Sequence, residues 1–169
     1  AVAGGVTSIM DMPNTIPQTV TIDLLEAKCD IAAQKSLVNY SFYLGATNDN
    51  LDEIENINPS TIGGLKLFMG ASTGNMLVNV RDVLDKIFAA STVPVAVHCE
   101  DNNIINANMN EYREEINGRD VPMKYHAVIR SEEACYKSTS LAVELAKKHN
   151  ARLQVFHLST MKDMALFER

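Results

Sequence analysis

Val93-Pro94-Val95-Ala96-Val97-His98-Cys99-Glu100-Asp101 is a near-continuous apolar run that turns polar at His98. A strand with no polar face is buried on both faces, as strands in parallel sheets are. Residues 153–158, Leu-Gln-Val-Phe-His-Leu, repeat the pattern: an apolar segment, then His157, then Ser159 and Thr160. Upstream, residues 63–70 read Gly-Gly-Leu-Lys-Leu-Phe-Met-Gly, a strand with Lys66 inside it. Residues 38–46, with Tyr40, Phe42 and Tyr43, are strand-like, and residues 6–12 form an apolar strand that ends at Pro13-Asn14. Helical spacing separates these segments. It is clear over residues 23–35, over residues 81–90 (Val83, Leu84, Ile87 and Phe88 on one face) and over residues 131–149, and weak over 51–59.

Strand and helix thus alternate five times, which predicts βα units and a parallel sheet in an α/β fold. A doubly wound sheet would carry GxGxxG after its first strand. Here Gly4-Gly5 precedes the strand, so it cannot cradle a phosphate there. The polar residues stand instead at the carboxyl ends of successive strands: Asp11 and Asn14, Asn48, Lys66, His98 with Glu100 and Asp101, and His157 with Ser159 and Thr160. Functional groups gathered on one rim of many strands point to a TIM barrel. The long polar stretch 100–130, with a short helix expected over 102–115, is a functional excursion or a lid.

Composition narrows the function. The 169 residues are 46% hydrophobic and 21% charged, the balance of a globular domain. The net charge of −6 and the lack of a Lys/Arg cluster argue against a nucleic-acid partner. No window reaches the roughly 18 apolar residues of a membrane helix. Cys29, Cys99 and Cys135 are odd in number and widely spaced, so neither a disulfide framework nor a CxxC metal site fits. They read as small buried hydrophobes in a reducing cytoplasm. Cys99, next to His98, should face away from it on a strand and not be a ligand. The first residues run straight into a strand, and Thr160 with Asp163 opens a helix that nothing closes before Arg169. Residues 1–169 are therefore read as an internal part of one catalytic domain.

Two histidines closing successive strands are candidate metal ligands, since neutral imidazole suits Zn²⁺. Lys66 is the odder residue. A buried lysine is costly unless it is neutralised, paired or modified, or reaches the rim. As a neutral amine it can take up CO₂, and the carbamate is an anionic two-oxygen ligand able to bridge two metal ions.

Four motifs carry a resemblance over essentially the whole chain. Residues 5–17, Gly-Val-Thr-Ser-Ile-Met-Asp-Met-Pro-Asn-Thr-Ile-Pro, resemble the segment after the second barrel strand of dihydroorotases. Gly64-Leu65-Lys66-Leu67-Phe68-Met69 resembles the carbamylated-lysine strand of the cyclic amidohydrolases, which include dihydroorotase, allantoinase and hydantoinase. Val97-His98-Cys99-Glu100-Asp101 and His157-Leu158-Ser159-Thr160 resemble their fifth- and sixth-strand histidine motifs. The resemblance implies strands two to six of an amidohydrolase TIM barrel. It implies two Zn²⁺ ions, bridged by carbamylated Lys66, with His98 and His157 on the second ion and Asn14 on the substrate carboxylate. The implied reaction is reversible hydrolysis of dihydroorotate to N-carbamoyl-aspartate in pyrimidine biosynthesis.

The family's His-x-His pair, the substrate-binding Arg that follows it and the proton-shuttling Asp of the eighth strand do not occur in these 169 residues. The catalytic residue is therefore unassigned, and the chain alone is expected to be inactive and to bind metal poorly. The expected partner is a small cyclic amide, with no nucleic acid or membrane; a homo-oligomer is compatible. Allantoinase, a hydantoinase of the dihydropyrimidinase type and a scaffold relative without activity are the alternatives, the last disfavoured because Lys66, His98 and His157 are all present. Arg130 is expected to pair with an acid and fix a loop, Glu132 to share that structural role, His126 to be structural, His149 to be a cation at a helix end, and Thr73-Gly74-Asn75 to be a turn.

Overall fold

A computed structural model describes all residues except 71, 73, 74, 117–119, 168 and 169, and the side chains of 114 and 115. The turn expected at Thr73-Gly74 lies outside the described residues. The chain begins with a single 3₁₀ turn, Val2–Gly4, followed by the strand β1 (Ser8–Asp11). Next come α1 (Ile22–Lys35), β2 (Asn39–Gly45), the short α2 (Leu51–Glu55) and β3 (Gly64–Phe68). These are followed by α3 (Arg81–Ala90), β4 (Val95–His98), α4 (Asn102–Glu115), a 3₁₀ turn at Met123–Tyr125 and α5 (His126–Ile129). Last are α6 (Glu132–His149), β5 (Leu153–Val155) and the one-turn α7 (Met161–Met164).

Local chemistry sets the helix ends. The Thr21 hydroxyl accepts from Leu24 N–H at 3.3 Å at the start of α1, and Ser131 does the same for Ala134 in α6. Helix α6 carries Glu132 and Glu133 in its first turn and Lys147, Lys148 and His149 in its last, which suits the helix dipole. Asn150 closes it in the left-handed conformation, φ 52°. His149 is, as expected, a helix-end group, and its Nε2 lies 2.9 Å from Asp85 Oδ1. Removing the hydroxyl with Thr21→Ala should cost about 1 kcal/mol, readable as a lower urea midpoint at unchanged slope.

All four strand pairings are parallel and the order is β1-β2-β3-β4-β5. Consecutive strands are neighbours throughout, with no reversal of the kind that defines a doubly wound sheet. That is the winding of a barrel wall, and the described residues form five staves of it. The edges are β1, exposed along its whole length, and β5. No helix of the described residues is long and apolar enough to cross a membrane.

Alternation along the strands builds the wall. Leu44 of β2, Leu65 and Leu67 of β3, and Val95 and Val97 of β4 are wholly buried and face the helices. They meet Leu84, Ile87 and Phe88 of α3 and Ala142, Leu145 and Ala146 of α6. Each large side chain buried here contributes about 1.5–3 kcal/mol. The intervening residues Lys66, Phe68, Ala96 and His98 face the opposite, inner side, where the barrel's chemistry is placed. Asn50 ties the rim together: its Oδ1 accepts from Thr47 N–H, and its Nδ2 donates to the carbonyls of Val20 and Gly45.

Two expectations need adjusting. The strand foreseen over 153–158 ends at Val155, so His157 sits in a turn beyond it. The helix foreseen from Thr160 towards Arg169 is Met161–Met164 only, although Thr160 caps it as expected, accepting from Asp163 N–H at 3.2 Å.

Candidate active site

His98 ends β4 on the inner face. His157 reaches the same place by another route. In β5, Leu153 and Val155 pack towards the core, so a continued pleat would send residue 157 to the core as well. The backbone of His157 instead adopts φ 40°, a left-handed conformation uncommon for a side chain of this kind. The pleat stops there, and the ring lies beside His98, with centroids 4.7 Å apart. His98 Nδ1 and His157 Nε2 are 2.9 Å apart.

The other nitrogen of His98, Nε2, lies 2.7 Å from Glu100 Oε2, and Arg130 pairs with the same carboxylate oxygen. Burial alone would raise the Glu100 carboxyl, but hydrogen bonds from His98 and Arg130 outweigh it and hold the group down at about 2. Arg130 thus pairs with an acid as expected, and the acid is Glu100. Glu132 takes a separate structural role, its Oε1 accepting from Lys162 N–H at 3.3 Å.

Lys66 is 3% exposed. Its Nζ donates to the Leu67 carbonyl at 3.2 Å and stands 3.7 Å from the centroid of the Phe68 ring and 5.5 Å from that of Phe156. Burial drives its ammonium down to about 8, against a slight opposing pull from Cys99. Phe68 also stands beside His98, ring centroids 6.4 Å apart, so one aromatic ring borders both groups. Cys99 faces away from His98, as alternation requires; burial pushes its thiol up to about 12, while Ser138 and Thr139 hydrogen-bond to it.

A cavity of about 300 Å³ opens at the paired histidines, bordered also by Glu100, His126, Arg130 and Asp163. Asn14 is exposed in the loop after β1 and does not line this cavity, nor does Lys66. The described residues therefore bring His98 and His157 together, set Lys66 beneath them in an apolar layer, and leave Asn14 apart. Sequence reading placed Glu100 on the rim and Asp163 in the helix cap at Thr160, and gave neither a part in the chemistry of the site. Glu100 had a signal, since residues two apart on an extended chain share a face, so Glu100 had to follow His98. Asp163 had a signal only as a capping residue; it is buried, and its Oδ1 has no hydrogen-bond partner among the described residues.

The donor set fits a zinc ion in part. Two nitrogens bound at about 2.0–2.1 Å to a tetrahedral ion lie roughly 3.3 Å apart, close to the 2.9 Å found between the rings. The contact of His98 Nε2 with a carboxylate is the usual support of a ligating imidazole. Among the described residues no group of three or more His, Cys, Asp or Glu is placed to hold a metal ion, so these two rings need a further ligand.

No family model matches the chain. A dihydroorotase of Methanosphaera stadtmanae is 29% identical over 167 residues, which is 98% of this chain and 37% of that enzyme. An allantoinase of Streptomyces avermitilis is 31% identical over 98% of this chain and 37% of its own. The chain is homologous to the cyclic amidohydrolases. Among solved structures, an L-hydantoinase (dihydropyrimidinase) from Arthrobacter aurescens superposes with a TM-score of 0.86 at 29% identity, over 96% of this chain and 36% of that one. The five staves are thus part of an amidohydrolase TIM barrel. The chain spans a little over a third of the length of the relatives it matches.

Proposed function

We propose that the chain supplies one side of the active site of a zinc-dependent dihydroorotase, which opens the ring of dihydroorotate reversibly to N-carbamoyl-aspartate. The observation that carries this reading is the facing pair His98 Nδ1 and His157 Nε2 above a buried, low-pKa Lys66. His98 and His157 would hold one ion. Lys66, with part of its population neutral near pH 8, would add its nitrogen lone pair to the carbon of CO₂ and release one N–H proton. The resulting carbamate would provide the anionic oxygen donors that the two imidazoles lack. Such ions, when bound, supply polarisation of the ring carbonyl and a lowered pKa for a water. Phe68 and Phe156 keep bulk water from the lysine. In the net reaction water adds to the amide carbon, the ring C–N bond breaks and the released nitrogen takes a proton. Asn14 would bind the substrate carboxylate from the loop after β1; its exposed side chain is available for that contact.

The relatives also favour a second reading within the same chemistry, hydrolysis of allantoin or of a hydantoin. One experiment separates them. The whole protein is assayed for zinc content, for the mass of the peptide carrying Lys66, and for ring opening of dihydroorotate, allantoin and hydantoin. About two zinc ions, a mass raised by one CO₂ and preference for dihydroorotate are expected. Preference for another ring replaces the substrate, while an unmodified lysine without metal overturns the enzyme in favour of a scaffold. Residues 1–169 expressed alone are expected to show no turnover.

A further inference from the structure

The excursion between β4 and α6 is fastened at its base. Asp101 Oδ1 accepts from the backbone N–H groups of Asn103 and Ile104, capping α4, and Asp101 Oδ2 lies 2.9 Å from Lys137 Nζ on α6. Asp101 N–H donates to the Ala134 carbonyl at 2.9 Å. Ile105 and Ile129 of the excursion form a small core with Ala134 of α6, and Tyr112 and Tyr125 pack at 4.6 Å between ring centroids. Asn108 Nδ2 donates to the Ile129 carbonyl at 3.0 Å, directly before Arg130. Arg130 is therefore presented by a packed unit, and its guanidinium meets the Glu100 carboxylate that also meets His98.

Proton bookkeeping follows from this geometry. A carboxylate paired with arginine can only accept hydrogen bonds. The proton of a neutral His98 is thus on Nε2, pointing at Glu100, and Nδ1 presents its lone pair to His157 Nε2, 2.9 Å away at the cavity. Without Glu100, the remaining contact with His157 admits either tautomer of His98.

We propose that Glu100 is the positioning residue of His98, and that Arg130, held by the packing of Ile105, Asn108 and Tyr112 of α4 against Tyr125 and Ile129, fixes Glu100 in that role. The excursion thereby sets the tautomer and aim of one ring of the site. The zinc-binding consequence rests on the function proposed above; the tautomer does not.

The test uses the whole protein with ¹⁵N-labelled histidine, first metal-free and then titrated with Zn²⁺. Wild type is expected to show His98 protonated on Nε2. Glu100→Ala is expected to give a mixed tautomer and a zinc affinity about 10–100-fold weaker, the usual effect of removing such a partner. Glu100→Gln keeps an acceptor oxygen and is expected to retain the Nε2–H form with a smaller loss of affinity; it also serves if Glu100→Ala does not fold. Arg130→Met is expected to fall between wild type and Glu100→Ala. An unchanged His98 tautomer in Glu100→Ala, or loss of the Nε2–H form in Glu100→Gln while the fold is intact, overturns the role of Glu100. Zinc binding of Arg130→Met equal to wild type overturns the role of Arg130. If wild type binds no zinc, the proposed function fails, and the tautomers alone decide on Glu100.

Discussion

Replacing Lys66 with methionine should abolish ring opening and, in the metal-free protein, make the fold firmer. The loss follows if Lys66 supplies the bridging oxygens: several kcal/mol of charge stabilisation goes with them, and about 4 kcal/mol is already roughly a thousandfold in rate. The gain in stability follows from burial. The Lys66 ammonium falls from 10.5 to about 8 in the fold, a difference of roughly 3 kcal/mol between its charged and neutral forms. Below pH 8 the lysine is charged in both folded and unfolded chains, and the fold bears the whole cost. Between pH 8 and 10.5 the unfolded chain binds the extra proton, so wild-type stability rises with pH; above 10.5 the cost is gone. The advantage of Lys66→Met should therefore be greatest near pH 7 and fade towards pH 10.5. Urea midpoints of both proteins in CO₂-free buffer measure it. An advantage that grows with pH, or turnover near wild type in Lys66→Met, contradicts this account.

Adding a single methyl group at Gly70 should damage both fold and site. Gly70 follows β3 and is buried against the backbone that leaves β4. A Cβ there would overlap the Glu100 carbonyl oxygen and stand 2.9 Å from both the carbonyl carbon and the Cβ of Glu100. Two backbones cannot yield as a flexible side-chain tip can, so the strand ends must separate. Gly70→Ala is expected to cost about 1–3 kcal/mol, the range of overpacked cores. It should also weaken zinc binding, because the displaced segment carries Glu100 and, two residues earlier, His98. Leu67→Ala, a cavity in the same strand facing the helices, is the control: it should lower stability as much or more and leave zinc affinity close to wild type. Equal zinc affinity in Gly70→Ala and wild type would show that the two segments move independently of the site.

The sequence by itself determined the periodicities, and through them most of the fold. Apolar runs ending at His98 and Lys66 inside Leu65-Lys66-Leu67 specify buried parallel strands, because only a strand covered on both faces has no use for alternating polarity. The helices α3 and α6 stand where their apolar spacing put them, since burial of Leu84, Ile87, Phe88 and Leu145 is a local pattern read by a non-directional force. The side of the strand that each residue faces was legible wherever the pleat continues, which is why Lys66 and His98 share the inner face and Cys99 does not. Tertiary structure alone decided what happens where the pleat stops. Alternation through Leu153 and Val155 aims residue 157 at the helices, and a left-handed backbone at His157 turns its ring to His98 instead. Glu100 and Arg130 are 30 residues apart, and nothing in their local sequence pairs them; the packed excursion brings them together. Such choices depend on which distant groups can share a desolvated charge or a ring contact, and that is fixed only once the strands and helices have taken their places.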